Sequence, residues 1–227
     1  MNLKEQAARE ALKFVQSGMV VGLGTGSTTK FFIEMLSEEL KAGRLKNIVG
    51  VPTSQSTVAL AESLRISLAG VEDYEMLDLA VDGADEVDPQ LNLIKGLGKA
   101  LLREKIVETH AKHFVVIADE SKVVEKLGIH VALPVEIVQF AAGAHVRWLN
   151  TLGCAAELWL EEDGKPAMTD NGNYLAKCTF KDGISDVHIL AAELDSYSGI
   201  VEHGLFLDMA QTVIIGKENG PEVKTKK

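Results

Sequence analysis

The feature that most restricts the fold is a regular alternation of short apolar runs with longer amphipathic stretches. The runs at 19–23, 47–51, 66–69, 77–81 and 114–118 are four or five residues long and read as buried strands, with Asn47, Ser67 and Asp78 as their only polar residues. An amphipathic helix is expected over 3–17, where Leu3, Ala7, Ala11 and Val15 recur every four residues and Gly18 is placed to end it. Further helices are expected over 29–40, 54–64 and 98–109. Continuously apolar strands separated by helices require a parallel sheet covered on both faces, an α/β architecture.

The pattern changes near Gly128. Strands are expected at 131–137, 156–161, 174–180 and 200–205, and helices at 139–152 and 186–194. That order, β-α-β-β-α-β, is the ferredoxin-like split unit. The run at 212–215 reads as a strand returning to the first sheet. The division expected is therefore 1–127 with 206–227 as the main domain, and 128–205 as a smaller α+β domain.

Composition removes several function classes. The 227 residues carry 23 Lys and Arg against 33 Asp and Glu, a formal net charge of −10. Such a chain, with no basic block in its body, is a poor nucleic-acid binder. No apolar run approaches the roughly 18–20 residues of a membrane span. The opening MNLKEQAARE has no apolar core of a secretion signal, and Cys154 and Cys178 read as small hydrophobes in a reducing compartment, so a cytoplasmic location is expected. Disorder is expected only at the tail KENGPEVKTKK. Should the ligand be a small anion, the positive groups that hold it must be local.

Four segments can carry chemistry. Gly22, Gly24 and Gly26 precede Ser27 and Thr28 at a strand-to-helix turn, where helix N–H groups and hydroxyls suit a phosphate; the alternative is a tight structural turn. Lysine is missing before Ser27, so this is no Walker loop, and Ser27 replaces the third glycine of the dinucleotide fingerprint. Asp82, Asp85, Glu86 and Asp88 follow a buried strand, where crowded carboxylates suit proton transfer; the alternative is a solvated acidic turn. Lys95, Gly96, Leu97 and Gly98 precede a helix carrying Arg103, Glu104 and Lys105, and this second glycine turn suits an oxyanion. Glu104 between two basic residues also fits an ordinary charged helix face. Lys122, after the strand at 114–118, suits a phosphate or plain solvent. His110 and His113 are read as non-metal, His145 as a satisfied core or interface histidine, and 170–173 as a structural turn.

Together these segments resemble the type A ribose-5-phosphate isomerases. The matching stretches are GLGTGST at 22–28, VPTSQST at 51–57, DGADE at 82–86, KGLGKALLREK at 95–105, ADESK at 118–122, LPVEI at 133–137, TDNGNYL at 169–175 and GIVEHGLF at 199–206, all in the family's order. The resemblance implies a Rossmann-like main domain with a ferredoxin-like smaller one. It implies interconversion of D-ribose 5-phosphate and D-ribulose 5-phosphate in the pentose phosphate pathway, through an enediolate. Glu104 is then the base. Asp82 and Asp85, with Gly83 and Ala84 between them, stand around the sugar hydroxyls. Lys95 and the N–H groups of Gly96, Leu97 and Gly98 stabilise the enediolate. Thr25, Gly26, Ser27, Thr28 and Lys122 hold the phosphate, with Lys4 as a possible addition. No metal or cofactor is expected, and the partner expected is a second copy of the chain, as homodimer or homotetramer. Leu97 and Lys99 depart from the small residues common in the family. The same fold also carries coenzyme A transferases, amino-sugar-phosphate deaminases and sugar-sensing regulator domains. The regulators carry a helix-turn-helix ahead of the fold, for which a first strand at 19 leaves no room.

Overall fold

The computed structural model describes residues 2–226. In chain order its elements are α1 (Leu3–Ala11), β1 (Val20–Leu23), α2 (Ser27–Lys41), β2 (Val49–Pro52), α3 (Gln55–Ser63), β3 (Ser67–Leu68), β4 (Leu79–Gly83), β5 (Glu86–Val87), β6 (Leu93–Ile94), α4 (Leu101–Thr109), β7 (Phe114–Asp119), β8 (Leu133–Ile137), α5 (Ala142–Leu149), β9 (Ala155–Leu158), β10 (Tyr174–Thr179), α6 (Val187–Ser196), β11 (Ile200–His203), β12 (Leu205–Phe206), β13 (Thr212–Gly216) and β14 (Glu222–Thr225). They form two compact units. One holds the chain up to Ala84, Arg103–Lys122 and the chain from Met209; the other holds Asp85–Leu102 and Val123–Asp208.

The first unit is built on a sheet ordered β14-β13-β7-β4-β1-β2-β3. Every pairing is parallel except that of β14 with β13. Counting the parallel strands alone, the order 3-2-1-4-5-6 is that of a Rossmann-like doubly wound sheet. Val21, Leu23, Val81, Ile117 and Ile214 are buried beneath Ala7, Ala8 and Ala11 of α1 and Phe32, Ile33 and Leu36 of α2. The alanines let α1 lie close. A Cβ at Gly216, on β13, would fall 1.9 Å from the carbonyl oxygen of Leu3, and Gln6 Oε1 accepts the Lys217 N–H at 2.9 Å. Val107 of α4 sits over β1, where a Cβ at Gly22 would be 2.9 Å from it. At the amino ends of the strands, Asp78 accepts the Val20 N–H at 3.0 Å and the Lys112 ammonium at 2.9 Å. These two partners hold its carboxyl below the usual range.

The tail corrects one expectation. Glu222–Thr225 is not disordered but pairs antiparallel with β13, Val223 opposite Ile214. Its polar composition fits an edge strand, whose outer face meets water. The first helix also ends at Ala11, short of 17, and continues only as a 3₁₀ turn over Leu12–Phe14.

The second unit contains a four-stranded antiparallel sheet ordered β11-β8-β10-β9. Leu133, Val135, Ile137, Ala176 and Cys178 face Leu149 of α5 and Leu190 and Leu194 of α6. This is the ferredoxin-like β-α-β-β-α-β arrangement. A three-stranded ladder, β12-β6-β5, completes the unit and brings Asp85–Leu102 into it. Residues 200–205 are therefore two strands, broken at Gly204, which donates its N–H to Pro134 O at 2.8 Å. The turn at 170–173 serves the fold. Glu136, buried on β8, accepts at Oε1 from Thr169 Oγ1 at 2.9 Å, Asn171 Nδ2 at 3.2 Å and Asn173 Nδ2 at 2.8 Å. His145 is a buried histidine whose Nε2 lies 2.9 Å from Phe140 O.

Candidate active site

In a doubly wound sheet the strand order reverses once, and the carboxyl ends of the two diverging strands open a crevice. Here those strands are β1 and β4. The loop 24–26 leads from β1 into α2, and Asp82 lies near the end of β4. The two are in direct contact. Asp82 Oδ1 accepts the Thr25 N–H at 3.0 Å, the Thr29 hydroxyl at 3.1 Å and its neighbour Gly83's N–H at 2.6 Å. A Cβ at Gly24 would lie 2.0 Å from the Asp82 carboxyl carbon, so only glycine fits there. At Gly26, φ of +125° turns the chain into α2, whose N-terminus begins at Ser27.

The turn after β2 and the start of α3 add hydroxyls beyond those expected from the sequence. Thr25 Oγ1 lies 2.8 Å from Thr53 Oγ1, 2.7 Å from Ser54 Oγ and 3.1 Å from Thr57 Oγ1. Thr57 in turn donates to Gly24 O at 2.9 Å. A groove of about 380 Å³ opens here, lined among others by Gly26, Ser27, Lys30, Ser56 and Thr57. Lys4 reaches the same place: its ammonium donates to Ser27 Oγ at 2.9 Å. Helix N–H groups, hydroxyls and a lysine gathered here are groups suited to holding an anion.

Glu104 sits in the first turn of α4 and is only 3% exposed. A charged surface face, the alternative its basic neighbours allowed, is thereby ruled out. Glu108, one turn on, is also buried. Lys122 follows β7 in a 3₁₀ turn and is half-buried.

The chain passes into the second unit between Ala84 and Asp85. There the carboxylates of the acidic segment part company, contrary to the crowding expected. Asp85 Oδ2 accepts the Leu97 N–H at 2.9 Å. Glu86 is buried and caps the loop 128–131, accepting from Gly128, His130 and Val131 N–H at 2.5, 2.7 and 3.0 Å. Asp88 closes its own turn onto the N–H groups of Gln90 and Asn92, both at 2.8 Å. Only Asp82 and Asp85 remain with a role in the turns that the sequence singles out.

Lys95 directly follows β6 and is 2% exposed, with its ammonium 5.3 Å from the centre of the Phe206 ring. The glycine turn after it is not the helix start that was expected at 98; α4 begins at Leu101. Gly96 has φ of +103° and Lys99, without being glycine, φ of +65°. The Lys99 N–H closes on Gly96 O at 2.9 Å, and its ammonium pairs with Glu161. Leu97's N–H is engaged by Asp85, so the donors this turn presents differ from the simple row of three amides. Among the described residues, Asp195, Glu202 and His203 are the one trio whose potential metal-ligand atoms lie within 4.8 Å of one another. The trio belongs to the corner that carries β12.

The sequence profile of the family described as Ribose 5-phosphate isomerase A (phosphoriboisomerase A) matches residues 49–220. The chain belongs to the ribose 5-phosphate isomerase A family. Similar members include a probable ribose-5-phosphate isomerase 3, chloroplastic, of Arabidopsis thaliana, 48% identical over 99% of this chain and 83% of that one. Ribose-5-phosphate isomerase A of Roseiflexus sp. is 49% identical over 96% of this chain and 93% of that one. Among solved structures, a D-ribose-5-phosphate isomerase in complex with phospho-erythronic acid superposes with a TM-score of 0.95 at 43% identity, over 99% of this chain and all (100%) of that one. The Plasmodium falciparum ribose 5-phosphate isomerase superposes with a TM-score of 0.95 at 38% identity, over 99% and 98% of the two chains. The family fold, with its parallel-sheet domain, is thus the fold of this chain.

Proposed function

We propose that the chain interconverts D-ribose 5-phosphate and D-ribulose 5-phosphate. The observation that carries this reading, beyond family membership, is the buried carboxylate of Glu104 in the same unit as a pinned Asp82 and an anion cradle. Glu104 takes the proton from C2 of the open-chain aldose. Charge moves to O1 of the former carbonyl, where the Lys95 ammonium and turn N–H groups stabilise it. The O2 proton passes to O1 with help from Asp82, and the proton on Glu104 returns to C1. Asp85 holds the turn through Leu97. Thr25 to Thr28, Lys4 and Lys122 bind the phosphate, which orients the sugar by its remote end.

The residue types match the demands of the step. A positioned base contributes about 10²–10⁴ in rate. An oxyanion donor contributes about 10²–10³. A lysine ammonium supplies the positive charge, so turnover is expected to persist in excess EDTA. The test is conversion of ribose 5-phosphate by purified protein, with and without EDTA, beside Glu104→Gln. The variant is expected to lose about 10²–10⁴ in kcat. Inactive parent protein overturns the isomerase reading, and a fully active variant removes Glu104 as base.

A second copy of the chain is the proposed partner. Phe140, in the second unit, is 87% exposed, and a second copy would cover its ring. Sedimentation of the parent and of Phe140→Asp tests this: a monomeric parent overturns it. The free thiols of Cys154 and Cys178 suit a cytoplasmic setting. Among the described residues no helix is long and apolar enough to cross a membrane.

A further inference from the structure

One buried ionisable side chain of the second unit takes no part in the scheme above. His203, at the end of β11, is 3% exposed. Its Nδ1 accepts the Leu205 N–H at 3.2 Å, and its Nε2 lies 3.2 Å from Asp195 Oδ1 on α6. An amide N–H only donates and a carboxylate only accepts, so these two bonds assign the Nε2–H tautomer.

The residues that follow His203 carry Lys95. Gly204 O accepts the Lys95 N–H at 2.9 Å, while Gly204 N–H is held by Pro134 O at 2.8 Å. The two main chains run so close that a Cβ at 204 would fall 2.3 Å from Lys95 O. Leu205 pairs antiparallel with Ile94 and Phe206 with Leu93, the two residues before Lys95. The Phe206 ring lies 5.3 Å from the Lys95 ammonium. One corner, 203–206, thus supplies the carbonyl under the Lys95 backbone and the ring beside its side chain.

We propose that His203 is a positioning residue for the Lys95 ammonium. Its Nδ1 takes up the Leu205 N–H, which is otherwise buried with a residue only 2% exposed, and so fixes the corner on which Lys95 rests. An apolar side chain at 203 leaves that N–H without its acceptor. The corner then relaxes, and the Gly204 carbonyl and Phe206 ring shift with it. A misplacement of about 1 Å at a reacting group costs about 10²-fold in rate. Phosphate binding, which uses other residues, is untouched. This inference rests on the reading of Lys95 as the oxyanion donor.

The test measures ribose 5-phosphate isomerisation by the full chain, with Lys95→Ala, His203→Leu and His203→Asn beside the parent. Asparagine can put an amide oxygen where Nδ1 stood. Expected are a kcat for His203→Leu lower by about 10–10²-fold with KM within about twofold, and recovery of most of that loss in His203→Asn. A folded His203→Leu with parental kcat overturns the inference, as does a loss that asparagine does not repair. Should His203→Leu fail to fold, His203→Asn is compared with His203→Gln, whose oxygen sits one methylene too far. Asparagine must then exceed glutamine in kcat, and equal values overturn the inference. Full turnover by Lys95→Ala, or none by the parent, is a different failure: it removes the reading of the site, and the positioning role with it.

Discussion

Two turns of this chain share the sequence Gly-Leu-Gly, at 22–24 and 96–98, and fold on different principles. The first leaves a buried parallel strand and enters the 15-residue helix α2. Its second glycine exists because Asp82 occupies the space a Cβ would need. The second turn leaves a two-residue antiparallel strand and delays its helix until Leu101. Its middle residue gives its N–H to Asp85, and Lys99 accepts a left-handed backbone to close it. Each turn is thus folded onto a carboxylate of the DGAD segment, but the first presents a helix end and hydroxyls, the second a buried lysine. The first has the equipment of a grip on an anion, the second that of a stabiliser of developing charge.

That contrast breaks most sharply at Gly24. Gly24→Ala drives a methyl into the Asp82 carboxylate, so kcat/KM is expected to fall by about 10²-fold. Stability should fall by about 1–3 kcal/mol, the usual cost of overpacking, read from the urea midpoint. A parental Gly24→Ala would show that the contact with Asp82 has slack. The functional side of the contrast is sharpened by Lys4→Ala, which removes a charged donor from Ser27 alone. KM should rise by about tenfold, the worth of a charge-assisted hydrogen bond near 1.5 kcal/mol, with kcat unchanged. A fall in kcat instead would blur the division between the two turns.

The scaffold under the first turn can be loosened from its far end. Asp78 ties β1 to β4 at their amino ends, and its carboxyl is held low by the Val20 N–H and Lys112. Its contribution to stability is therefore complete above the ordinary carboxylate value of about 3.9 and is lost as pH falls through the lower folded value. The melting temperature of Asp78→Asn should lie below the parent's at neutral pH, with the gap closing in acid. A gap that stays constant with pH contradicts the ion-paired reading. The smallest effect is expected in the second turn. Lys99→Gly relieves a left-handed backbone worth roughly 1–2 kcal/mol and forfeits a half-exposed ion pair worth about 0–1 kcal/mol. A slightly higher urea midpoint follows, and a marked drop would show that the pairing with Glu161 holds the turn.

Much of the first sheet is legible in the sequence because β1, β4, β7 and β13 are apolar but for Asp82, Asp119 and Thr212 near their ends, and burial on both faces leaves no other pattern. The ladder β12-β6-β5 is not, because two-residue strands have no periodicity and owe their pairing to chain far away. The same holds for β14, whose Glu-Val-Lys-Thr alternation is too short to outweigh polar surroundings. At the candidate site, the glycines, Asp82 and Lys95 are marked by place. Glu104 is not marked as buried, because the Arg and Lys beside it point to solvent in any local reading. The hydroxyls of Thr53, Ser54 and Thr57 look like helix capping, and Ser54 does cap α3. Their gathering around Thr25 becomes visible only when β2 lies beside β1.

The seating of α1 has a consequence for the order of events during synthesis. Leu3 packs against Gly216, and Gln6 receives the N–H of Lys217. A chain made from its first residue onward has no place to dock that helix on β13 until some two hundred residues later. Lys4, made before any strand of the sheet, is therefore among the last of its unit to be seated beside Ser27. The contact between Lys4 and Ser27 is finished only when the last parallel strand has joined the sheet.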